Sequence, residues 1–159
     1  MSTRDFNTFV SKLLDRVRPD CQTGGRLGSS LETQTMKLFT VEEANDLLAD
    51  IIPRLRSIQT LYAEIEGLRD AARAAASASE FGGGMEGGTG YVSKLYTVGK
   101  LTTELHDLGI ELKDYSRGLI DFPSLRGERV VLLCWQLGEG DRIEWWHEPE
   151  AGFAGRQPL

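Results

Sequence analysis

Residues 128–148, ERVVLLCWQLGEGDRIEWWHE, decide how this chain is read, because here the apolar period changes from that of a helix to that of a strand. ERVVLLCWQL is rich in β-branched and aromatic residues, GEGD is turn chemistry, and RIEWWHE alternates polar with apolar residues, so the stretch is expected to form a β-hairpin. Whether Glu139-Gly140 or the four residues 138–141 make the loop, cross-strand partners sum to the same number and Leu137 faces Arg142. One face then carries Val130, Leu132, Cys134 and Gln136 with Ile143, Trp145 and His147. The other carries Val131, Leu133, Trp135 and Leu137 with Arg142, Glu144, Trp146 and Glu148. The first face is expected to pack on the helices, which puts His147 on the core side within diagonal reach of Cys134. The second holds too many apolar side chains for open water, and the helices, the amino-terminal segment or a second subunit are its candidate covers.

Upstream, the period is helical. From Val41 the positions Ala44, Leu48, Ile51, Leu55, Ile58, Tyr62 and Ile65 step in fours and threes along one helix side. Thr40 and Glu43 have the spacing of a capping box at its start. Pro53 removes one backbone donor and is expected to bend the helix. The alanine-rich stretch after Leu68 extends the expected helix to about residue 80. Residues 82–90, GGGMEGGTG, hold six glycines in nine and lack the lysine of a phosphate-binding loop, so they read as a connector. A second stripe follows: Leu95, Val98, Leu101, Leu105, Leu108, Leu112 and Tyr115. It predicts a helix over about 91–117, ended by Gly118 and Pro123. The two stripes predict an antiparallel helical hairpin.

The fold expected is α+β: a long two-helix hairpin, a β-hairpin over about 128–148, and a tail, 149–159, folded back over it. Residues 1–35 are expected to be a short helix and a flexible linker outside the organised domain, which begins at Met36, a second start-like methionine. Net charge is −6 with acids and bases interspersed, which disfavours a nucleic-acid footprint. The longest apolar run is about six residues where a membrane span needs roughly 20, so no membrane partner is expected. Cys21 and Cys134 have no disulfide or zinc-clip spacing, and no leader is read, which fits a reducing cytoplasm.

The runs MKLFTVEEANDLL, LGIELKDYSRGLIDFPS and LCWQLGEGDRIEWWHEPEAGFAGRQPL together resemble the bacterial domain-of-unknown-function 2203 family over about residues 36–159. The resemblance implies a small bacterial protein of helical-hairpin type, and it brings no assigned activity, substrate or cofactor.

The polar groups available for chemistry are His106, Asp107, Glu111, Asp114, Arg117, Asp121, Cys134, His147, Glu148 and Arg156. Asp107, Glu111 and Asp114 share a helix face by spacing and read as a solvated acidic face rather than half of a metal site. His147 beside Glu148 invites a divalent metal, with Asp114, Asp121 and His147 as the ligand set and Cys134 as a recruit. The plainer alternative is a packed His147 hydrogen-bonded to Asp114 or Asp121. A Cys134 thiolate activated by His147 competes with an inert buried cysteine. Arg117 and Arg156 could hold a small anion between two loops. In the competing reading Arg156 pairs with Asp121 or Glu148 and locks the tail, while Phe153 fills a core gap.

No catalytic residue is assigned and no resident cofactor is expected. The function expected first is a non-catalytic structural or interaction protein, a homo-oligomer associating through its apolar seams. The alternative is a small-ligand or metal-binding domain, or an enzyme, with its site at Arg117, Asp121, His147, Glu148 and Arg156.

Overall fold

The computed structural model describes residues 36–78 and 84–159. What the sequence suggests for residues 1–35 lies outside the described residues.

Helix α1 spans Val41–Ser77 and runs unbroken through Pro53. Its capping box is formed: the Glu43 amide donates to Thr40 Oγ1 at 3.1 Å, and the Thr40 amide donates to the Glu43 carboxylate at 2.9 Å. Helix α2 spans Gly88–Asp107 and lies against α1. The two stripes meet: Ala44, Leu48, Ile51, Leu55, Ile58 and Ile65 of α1 and Leu95, Val98 and Leu105 of α2 are buried in one core. At the flanks Arg54 reaches Glu104 at 3.4 Å and Lys94 reaches Glu64 at 3.5 Å.

The second helix ends ten residues before the expected 117. Gly109, at φ +89°, turns the chain left-handed; its amide donates to the His106 carbonyl at 2.8 Å and the Ile110 amide to the Leu105 carbonyl at 3.0 Å. This paired closure satisfies two orphan carbonyls and buries Ile110 beside Leu105, as such glycine caps commonly do. Leu112 and Tyr115 therefore continue the apolar spacing without continuing the helix. They belong to a strand and its turn, where Tyr115 stacks on Tyr62 at 5.5 Å.

The remainder is a five-stranded antiparallel meander in sequence order: β1 Glu111–Asp114, β2 Leu119–Arg126, β3 Arg129–Gln136, β4 Trp145–His147 and β5 Gln157–Pro158. The predicted β-hairpin is its β3–β4 portion, with Leu132 opposite His147, Leu133 opposite Trp146 and Cys134 opposite Trp145. These pairs have the register that sets Leu137 against Arg142. Pro123, read as a helix stop, sits inside β2. Beside it β1 has already ended, since β1 pairs only as far as Asp121, and the Pro123 carbonyl accepts from the Phe39 amide at 2.8 Å instead. The side of β2 where a proline nitrogen would fail the ladder thus has no strand that needs it.

The faces are assigned the other way round from the expectation. Val131, Leu133, Trp135 and Trp146 pack into the helical core, whereas Cys134, Leu132 and His147 are buried outside that cluster, on the outer face. The reason is β2: its register puts Ile120 and Phe122 beside Trp135 and Leu133 on the helix side, and Asp121 and Pro123 beside Cys134 and Leu132 on the outer side. Once β2 is in the sheet, the helix-side face is the more apolar of the two.

Candidate functional site

The outer face gathers one residue from each of three neighbouring strands. Asp121 of β2 stands opposite Cys134 of β3, and His147 of β4 lies diagonal to Cys134. The three are 2%, 1% and 2% exposed, and one donor atom from each falls within 4.8 Å of the others. Two of the three lie on strands that the hairpin register alone places together. Asp121 joins them because β2 pairs in register with β3.

His147 is held in a defined orientation. Its Nδ1 lies 2.8 Å from the Glu148 backbone carbonyl, which can only accept, so Nδ1 carries a proton. Nε2 then faces Asp121, 3.4 Å from each carboxylate oxygen. A backbone carbonyl that pins one ring nitrogen is the usual support of a metal-binding imidazole, and it leaves Nε2 as the ligand atom.

Burial pushes the Asp121 carboxyl above the usual carboxylate range, against the opposing pull of the Cys134 thiol, His147 and Lys113. Lys113 Nζ lies 3.9 Å from Asp121 Oδ2 and also pairs with Glu111. Burial likewise pushes the Cys134 thiol far up, and the adjacent Asp121 charge and hydrogen bond push it further. By itself this thiol keeps its proton and donates it to Asp121, so it is no nucleophile in that state. A bound cation reverses that preference, because a coordinating thiol is deprotonated outright.

The tail pairs with β4 at the sheet edge and reaches this face through Arg156. Arg156 grips both oxygens of Glu139 at 2.6 and 2.8 Å, and its guanidinium stacks 5.1 Å from the Trp145 ring and 4.6 Å from the Phe153 ring. Arg117 stacks on Phe153 at 4.8 Å, so the two arginines do converge, on an aromatic ring that is 39% exposed. Arg156 therefore pairs with Glu139, not with Asp121 or Glu148, and Phe153 fills no core gap. Arg156 Nε and Gln136 Oε1 are buried without a protein partner.

The other candidates are placed elsewhere. Asp114 accepts from the Ser116 amide and hydroxyl and from the Arg117 amide and Nε, which closes the β1–β2 turn and holds its carboxyl below the usual range despite the opposing effect of burial. It is thus committed to a turn and does not join Asp121 and His147. Glu148 lends its backbone carbonyl to His147 and pairs its side chain with Arg129 at 3.3 Å. His106 and Asp107 are exposed at the end of α2. The acidic row Asp107, Glu111, Asp114 does not exist on a helix, since Glu111 and Asp114 lie on β1. Glu139 and Lys113 escaped the sequence reading, and the sole local signal for Glu139 was its place in GEGD, which turn chemistry already explained.

Among the described residues no helix is long and apolar enough to cross a membrane. No curated protein and no solved structure matches the chain. The model of the family described as an uncharacterized conserved protein, DUF2203, matches residues 37–159, and the chain belongs to that family.

Proposed function

We propose that this chain is a binding domain for a divalent transition metal, held by a carboxylate oxygen of Asp121, Sγ of Cys134 and Nε2 of His147. The observation that carries this reading is the convergence of three buried donors of three types, within 4.8 Å, on neighbouring strands. Mixed nitrogen, sulfur and oxygen donors suit borderline ions such as zinc, and three protein ligands are the number found where zinc keeps a further position for water or substrate. Charge supports it as well. A divalent ion with one thiolate, one carboxylate and a neutral imidazole is neutral as a unit, and the nearby cations Lys113 and Arg156 already have Glu111 and Glu139. A reducing cytoplasm, which keeps such a thiol free, suits this reading.

The test is elemental analysis of untagged full-length protein together with thermal melts in zinc, cobalt, nickel and manganese salts. About one ion per chain is expected in the wild type and none in His147→Ala or Cys134→Ser. An ion present at 100 times its dissociation constant contributes about 2.7 kcal/mol of stability. Metal-free protein whose melting point none of these ions moves would overturn the reading.

Self-association is a second reading, supported by Val92 and Tyr96 of α2, which are 63% and 60% exposed and one helical turn apart. A two-fold contact across that face would cover both. Light scattering that finds a monomer at micromolar concentration overturns it.

A further inference from the structure

We propose that the carboxy-terminal segment, residues 149–159, is a strap that gates the Asp121–Cys134–His147 cluster, with Arg156 and Glu139 as its latch. The proposal rests on the metal reading only for what passes through the gate. The strap reaches the cluster through Trp145, which is the cross-strand partner of Cys134 and carries Arg156 stacked over its ring on that same face.

The strap covers deeply and is held lightly. The cluster is at most 2% exposed, yet no residue from 149 to 159 belongs to the hydrophobic core, and the Arg156 side chain, 10% exposed, is held by a carboxylate and two aromatic rings. Its own side chains thus add nothing to the hydrophobic core, which is the property of segments that open before the fold does. Its fastenings are few and polar. They are the two-pronged Arg156–Glu139 pair, the Phe153 ring between Arg117 and Arg156, a two-residue pairing of β5 with β4, the Trp146 Nε1 bond to the Pro158 carbonyl at 3.1 Å, and the Leu159 amide bond to the Glu144 carbonyl at 3.0 Å.

A pivot is present as well. Gly152 sits at φ +59°, ψ −165°, a conformation essentially reserved for glycine, and a Cβ on Gly155 would stand 2.5 Å from the Ala151 Cβ. These two glycines let the chain double back tightly enough for Arg156 to reach Glu139. Glu139 also accepts from the Gln136 amide at 3.0 Å, so the latch is anchored at the end of β3, the strand that carries Cys134.

The test uses the full chain carrying Cys21→Ser, which leaves Cys134 as its one thiol. Alkylation by an uncharged maleimide is followed under native conditions with a chelator present. Arg156→Ala and Glu139→Gln are expected to react about tenfold faster than the parent, the size of effect that loss of a charged hydrogen-bonded pair gives. Arg156→Lys, which keeps the charge and loses the two-pronged grip, is expected in between. Removing the Arg156 charge alone makes the Cys134 thiolate scarcer, so acceleration in Arg156→Ala reads access rather than reactivity. Thr40→Ala is the control, because it weakens the whole fold at a helix cap that is no part of the strap or its fastenings, and urea midpoints put all variants on one stability scale. Strap variants that label no faster than Thr40→Ala at equal stability overturn the gate. In a second arm the protein is loaded with Zn²⁺ and release to a chelator is timed, with the same order of rates expected. A wild type that takes up no Zn²⁺ overturns the metal reading alone, since the maleimide arm judges the strap without any ion.

Discussion

Asp121 and Cys134 stand directly opposite each other across β2 and β3, with the thiol donating to the carboxylate, both at most 2% exposed. A carboxylate in that position is costly to the fold, because burial raises its pKa and therefore favours its neutral form. The folded-state value lies above the unfolded one, so the stability linked to this group is present at low pH and is lost as pH rises through the folded value.

Asp121→Asn keeps the shape and removes that liability. In chelator at neutral pH the variant is expected to melt higher than the wild type, with the difference shrinking as pH falls through the raised folded value and closed below about 4, where aspartate is protonated in both states. With zinc added the order reverses, because only the wild type gains from the ion. Calorimetry with and without zinc checks both halves. A variant that melts lower than the wild type in chelator at neutral pH contradicts the cost assigned to the carboxylate.

Zinc affinity is expected to climb with pH. Cys134 starts protonated and must lose its proton to become a ligand, so each pH unit strengthens binding about tenfold for that one proton. Competition with a chromophoric chelator at several pH values gives the slope. A flat profile would mean that the thiol is not a ligand.

At Asp114 the sign is opposite. Its carboxyl is held below the usual range by Ser116 and Arg117, so the stability it adds is present above about pH 4 and disappears as pH falls through the lowered folded value. Asp114→Asn should therefore be less stable than the wild type at pH 7, and the gap should close in acid. Urea unfolding at neutral and acid pH measures it, and equal gaps at both would place the effect in the turn's hydrogen bonds rather than in the charge.

Gly109→Ala tests what stops α2. A side chain there must adopt φ +89°, and its Cβ would meet the Lys37 Cβ at 3.0 Å. A loss of about 1–2 kcal/mol is expected from the left-handed backbone. An unchanged urea midpoint would mean that the helix end is set elsewhere.

The end of α2 also shows where sequence reading stops. Leu105, Leu108, Leu112 and Tyr115 are spaced for a helix, but the same residues serve a helix, a glycine cap, a strand and a turn. Local spacing alone does not separate these, because apolar steps of three and four survive a single left-handed residue. The signal that was present, Gly109 followed by an isoleucine, outweighs the stripe only because Ile110 finds Leu105 to pack against.

Several features belong to the sequence by itself: the capping box at Thr40, the pairing of the two helical stripes, and the β3–β4 register. Each depends on residues within a few positions or on a period that local backbone geometry imposes. The tertiary structure alone decided which sheet face meets the helices, because that follows from the apolar content of β2, a strand in the stretch between the expected helix end at 117 and the expected β-hairpin. It also decided that Asp121 joins Cys134 and His147. A strand pairing brings together residues 13 and 26 positions apart, and hydrogen bonding between strands leaves no trace in the spacing of either one.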